Sequence, residues 1–165
     1  MRPLGLCAIV LAASGVLSAA EITIESVIAE MNLQRAASGL PPLRQDDRLD
    51  RAADMRMRDM EELQYWAHVA PDGRSPFATL RPTGYDFRYA GENLASGFET
   101  AEVLVQSWME SKGHRENILS PLYRDCGVAV IDGSPLGRAM GRSVVVLFAR
   151  HAVPEVAPPP PQGAR

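Results

Sequence analysis

Two short runs near the C-terminal end, CGVAVI (126–131) and SVVVLFA (143–149), limit what this chain can fold into. Both are rich in β-branched residues, which suit a pleated, half-buried surface better than a helix. The linker between them, DGSPLGRAMGR, holds three glycines and a proline, so the pair reads as an antiparallel hairpin. The preceding sequence is mostly helical. Ile24, Val27, Ile28 and Met31 recur at helical spacing, with Thr23 placed to cap the start and Gly39 the end. After LPPL breaks that helix, a second begins near Asp47 and puts Leu49, Ala53, Met57, Met60 and Leu63 on one stripe. The methionines there read as core filler. A third runs from Thr100 to about Ser111, with Ala101, Leu104, Val105 and Trp108 on one face, and Gly113 is expected to end it. Helices followed by terminal strands imply an α+β or layered α/β domain.

Both ends of the chain read as peripheral. Residues 1–20 carry one charge, Arg2, then an apolar run, then small residues that include Ser18 and Ala20. That is the pattern of a signal peptide cleaved before Glu21. The run is too short and too glycine-punctuated for a membrane span, and no transmembrane segment is expected after its removal. Cys7 lies ahead of the apolar run, which argues against lipid attachment. Without the leader, Cys126 is the one cysteine left, so no internal disulfide is expected and the core must hold the fold unaided. Cys126 stands at a strand start and reads as a small buried hydrophobe. Residues 152–165, including VAPPPPQ, are too proline-rich for helix or sheet and read as a disordered, polyproline-like tail. The folded domain is expected over residues 21–151 and is read as a monomer.

The formal charge of −3 comes with no basic cluster, which excludes a nucleic-acid partner held by its phosphates. Nothing local fixes a metal: His-x-x-x-His, Cys-x-x-Cys and acidic calcium loops are absent. Gly-x-Ser-x-Gly and Ser-x-x-Lys are absent too, and Ser111 has proximity to His114 in sequence but no orienting group. The long stretch Tyr65–Phe98 reads mainly as loop, with a short helix opened by Ser75-Pro76. Of three histidines, His68 in AHVAPDG and His114 in SKGHRENIL both read as turn residues, and His151 is given no role. Glu92, in GEN, lies between the first two. A zinc site assembled from His68, His114 and Glu92 is one reading of these residues. Asn93 and Asn117 read as side-chain amides that fix turns through backbone groups.

AHVAPDG, GENLA, WMESKGHRENIL, CGVAVI and SVVVLFA, in this order, resemble the CAP superfamily of cysteine-rich secretory proteins, antigen 5 and pathogenesis-related proteins, also called the SCP domain. MNLQRAASGLPPLRQDDRLDRAA is similar to the opening helix pair of its bacterial branch. The resemblance covers about residues 25 to 150. It implies a three-layer α-β-α sandwich around a small, mainly antiparallel sheet. It also implies a cleft of two histidines and two glutamates that in several members holds a divalent metal. By motif the histidines fall on His68 and His114 and the first glutamate on Glu92. The second carboxylate is where the sequence departs. The family position three residues after the helix tryptophan is Ser111, and Glu110 is rotated from it by about 100° on a helix.

Three functions follow as expectations. One is a secreted or periplasmic, non-enzymatic module that binds a ligand or partner, with lipid or cell-wall material as candidates. Another is a zinc-dependent hydrolase of peptides or cell wall, with His68 and His114 as metal ligands and Glu92 as ligand or base. In the third the cleft residues are purely structural. No obligatory cofactor is expected in the first or third.

Overall fold

The computed structural model of the protein describes residues 20–137 and 141–152. The leader read over residues 1–20 and the tail over 152–165 lie outside them except for Ala20 and Ala152, as does Cys7.

Helix α1 spans Ile24–Ala37 and starts as its sequence requires. The Thr23 hydroxyl accepts from Ser26 N at 3.1 Å, and Ser26 Oγ accepts from Thr23 N at 2.9 Å. This reciprocal box satisfies two donors that a helix start would otherwise leave orphaned. Helix α2, Asp47–Glu62, is capped by Asp46. Helix α3, Ala101–Glu110, is capped by Thr100. Strand β1 is the two-residue Arg44–Gln45, β3 is Asp125–Asp132 and β4 is Arg142–His151. The expected hairpin is β3–β4, antiparallel from Asp125 opposite Ala149 to Asp132 opposite Arg142.

Two segments differ from the sequence reading. Tyr65–Phe98 is not mainly loop, because its last third is the twelve-residue strand β2, Phe87–Phe98. The expected short helix within it is a 3₁₀ turn, Pro76–Thr79. SKGHRENIL is likewise not a turn but the seven-residue helix α4, Lys112–Ile118. Gly113 does not stop α3. The break falls at Ser111, where the backbone turns extended (φ −89°, ψ 122°), and Gly113 lies inside α4.

The sheet order is β1-β3-β4-β2, with β1 parallel to β3 and the other pairings antiparallel. Alternation along β4 divides the core. Val144, Val146 and Phe148 pack under α1, α3 and α4 with Val27, Met31, Leu104, Trp108 and Cys126. Val145, Leu147 and Ala149 pack under α2 with Leu49, Ala53, Met57 and Met60. The result is an α-β-α sandwich with helices on both faces of a four-stranded, mostly antiparallel sheet, as the fold class anticipates. Leu63 ends the α2 stripe in solvent. Cys126 is buried, and burial pushes its thiol up to about 12, so it stays an inert thiol at neutral pH. Among the described residues no helix is long and apolar enough to cross a membrane.

Two close approaches fix helices on the two faces of the sheet. A Cβ on Gly127 of β3 would lie 2.1 Å from the backbone carbon of Leu49, so α2 rests directly on the sheet there. Arg35, buried at the end of α1, donates to the carbonyls of Pro41, Ile118 and Ser120 at 2.9, 2.7 and 3.0 Å. It thereby ties the end of α4 to α1.

Candidate functional site

β2 is an outer strand, and successive side chains point to opposite faces of the sheet. Glu92 lies opposite Leu147 and faces α2, while Asn93 lies opposite Val146 and faces the α3–α4 layer. One dipeptide thus serves two sides.

On the α2 side the Glu92 side chain is 2% exposed, and both its oxygens are engaged. Oε2 accepts from Arg56 Nε at 2.9 Å, and Oε1 lies 2.7 Å from His68 Nδ1. Because the partner is a carboxylate, Nδ1 is the donor, which leaves Nε2 of His68 on the far side of the ring. The His68 side chain is 55% exposed. Arg56 binds more than Glu92. Its Nη2 donates to the carbonyls of Ala67 and His68, both at 2.6 Å, and its Nη1 donates to Tyr65 Oη. Tyr65 in turn donates to Asp59, which also accepts from Arg74 at 2.7 Å. The segment that carries His68 is therefore fixed to α2 by a buried guanidinium.

On the other side, two asparagines lace α4 to β2. Asn93 Nδ2 donates to His114 O at 3.2 Å, and Asn117 Nδ2 donates to Glu92 O at 3.1 Å and Asn93 Oδ1 at 2.9 Å. Both act on backbone groups as the sequence reading holds, but across a helix–strand junction instead of within a turn. Three alternate carbonyls of the outer strand, Ala90, Glu92 and Leu94, each accept at 3.1 Å, from Tyr123 Oη, Asn117 Nδ2 and Trp108 Nε1. Gly91 has to be glycine for this lacing. A Cβ there would lie 2.6 Å from Tyr123 Oη and 2.8 Å from Asn117 Oδ1.

His114 sits in the first turns of α4, half-buried, with its ring 6.3 Å from that of Trp108. Burial holds its imidazole below the usual histidine range, and the charge of nearby His68 adds to the effect. Glu92 engages His68 directly, at Nδ1. Glu110 does not join them. It is exposed on α3 and accepts from Gln106 Nε2 at 3.3 Å on its own helix. Ser111 is the junction between α3 and α4, its N–H bonded back to the carbonyls of Ser107 and Trp108. His151 ends β4, with its ring edge-on to Tyr85.

A zinc centre takes at least three protein donors. Among the described residues no group of three or more His, Cys, Asp or Glu side chains is placed to hold a metal. The cause lies in the donors themselves. Glu92 is taken at both oxygens, and Glu110 is in solvent. The residues present do not fit the metal that the resemblance implies.

Sequence reasoning passed over Arg56, Tyr65 and Asp59. A signal for Arg56 was available: it falls on the buried stripe of α2, three residues after Ala53 and four before Met60. A charge on an apolar stripe calls for a buried partner.

Residues 28–148 match the family model described as cysteine-rich secretory protein family, CAP. The Bacillus subtilis protein YkwD is 36% identical over 112 residues, which cover 68% of this chain and 44% of that one. The chain thus spans less than half the length of this relative. An extracellular protein containing an SCP domain from Bacillus anthracis aligns with a TM-score of 0.65 at 25% identity, over 77% of this chain and 40% of that one. An outer surface protein of Borrelia burgdorferi aligns with a TM-score of 0.66 at 22% identity, over 81% of this chain and 99% of that one, a likeness of fold.

Proposed function

The chain belongs to the CAP family of cysteine-rich secretory proteins, and on that premise we propose that it is an exported, non-enzymatic module that binds a ligand at the His68–His114 cleft. One observation carries the reading: the cleft's carboxylate, Glu92, is buried and held at both oxygens by Arg56 and His68. A general base must reach the proton it takes, and Glu92 is buried, with its oxygens turned to Arg56 and His68. His68 is different. Its side chain is more than half exposed on a segment fixed by Arg56, and its charge is felt at the half-buried His114. Fixed polar groups on a rigid frame suit recognition. Export fits the leader-like residues 1–20, and the similar SCP-domain protein of Bacillus anthracis is an extracellular protein.

The test is retention of the purified protein on peptidoglycan sacculi and on phospholipid vesicles, wild type beside His68→Ala and His114→Ala. Binding to one of these that weakens at least tenfold in both variants is expected, with no release of soluble products. Cleavage of peptide or cell-wall substrate by the wild type, lost in His114→Ala, would replace this reading with an enzymatic one.

A further inference from the structure

Arg56 is a charged residue on the buried stripe of α2. Its side chain is 2% exposed, and its donors are spent on Glu92 Oε2, Tyr65 Oη, Ala67 O and His68 O. Asp59 Oδ2 lies 3.6 Å from Nη1. A guanidinium does not lose its proton in a protein, so this positive charge is permanent. For a divalent ion between His68 and His114 to gain Glu92 as a third ligand, it would have to displace Arg56 from Oε2 or His68 from Oε1. It would then sit close to the fixed positive charge of Arg56, which is itself 2% exposed. Both costs fall on the metal.

We propose that Arg56 is the resident cation of this cleft: it neutralises Glu92 in the place of a divalent metal and orders the segment that carries His68. This makes Arg56 a positioning residue with two outputs, one to the Glu92 carboxylate and one to the backbone at 67–68. Lysine could not reproduce it, since one ammonium cannot span four acceptors in a planar fork. The inference is independent of whether the cleft binds a ligand. A metal-free hydrolytic activity would overturn the binding-module reading and leave this one standing.

Zinc calorimetry and cobalt absorption on the purified protein test it, with wild type, Glu92→Gln, Arg56→Met and the Arg56→Met/Glu92→Gln double variant. Removing the guanidinium should free Glu92, so folded Arg56→Met should bind metal at least tenfold more tightly than wild type. The double variant should lose that gain. A purely structural arginine would not move metal affinity in this Glu92-dependent way. Folded Arg56→Met that binds metal no tighter than wild type overturns the proposal, as does a gain in Arg56→Met that persists undiminished in the double variant. Should Arg56→Met fail to fold, Arg56→Gln, which keeps an N–H donor beside Glu92 and gives up the charge, is read in its place: tighter metal binding than wild type upholds the proposal, and binding no tighter overturns it.

Discussion

At the scale of single residues, the site rests on a carboxylate and a guanidinium that are both almost wholly out of water. Such a pair is a weak source of net stability, because desolvation offsets most of the attraction, but breaking it is costly since one charge is left unpaired. Glu92→Gln keeps the shape and removes the charge, so it should cost about 3–5 kcal/mol in urea denaturation. The double variant with Arg56→Met should cost less than the sum of the two single changes, because they share one interaction. His68 and Glu92 were singled out in the sequence, and the fold brings them within 2.7 Å of each other. Glu92's commitment to Arg56 was not legible there, because 36 positions separate the two and only the fold brings them together. The doubt over Glu110 came from the family resemblance, which puts the second carboxylate position at Ser111, together with the helical rotation of about 100° between the two, and Glu110 is exposed beside Gln106.

At the scale of elements, the decisive joint is between α4 and the outer strand β2. Asn117 supplies two of its hydrogen bonds, to Glu92 O and Asn93 Oδ1. Asn117→Ala leaves both acceptors short of a donor and should cost about 1–3 kcal/mol. Hydrogen exchange should locate the loss in α4 and residues 91–95, with α2 unchanged. Equal loosening of α2 would show that the joint is not local. Capped helices and β-branched strands were readable because their signals are local: Thr23 and Thr100 at helix starts, VVV in β4. β2 was not readable. Its Gly91, Asn93, Ala95 and Ser96 are poor strand formers, and its outer carbonyls are satisfied by side chains of Trp108, Asn117 and Tyr123 instead of another strand. α4 was missed for a related reason, since Gly113 reads as a stop when α3 already ends at Ser111.

At the scale of the whole molecule, two apolar layers on one sheet carry the fold without an internal disulfide among the described residues. His114 couples that fold to pH. Its folded-state affinity for a proton is lowered by burial and by His68, so below the ordinary histidine value the unfolded chain binds more protons than the folded one. Stability should therefore fall as pH drops from about 7 toward 5, and the fall should be shallower in His114→Gln, compared by melting temperature across that range. Identical slopes would mean that His114 does not feel the core. The central claim remains that Arg56, Glu92 and His68 form one closed network that aims His68 outward. The most direct measurement is a long-range ¹H–¹⁵N correlation of the imidazole nitrogens near neutral pH, on wild type and Glu92→Gln. The account predicts a His68 ring protonated at Nδ1 in the wild type, shifting toward the Nε2–H form when Glu92 loses its charge. A His68 ring already in the Nε2–H form, and unmoved by Glu92→Gln, would contradict it.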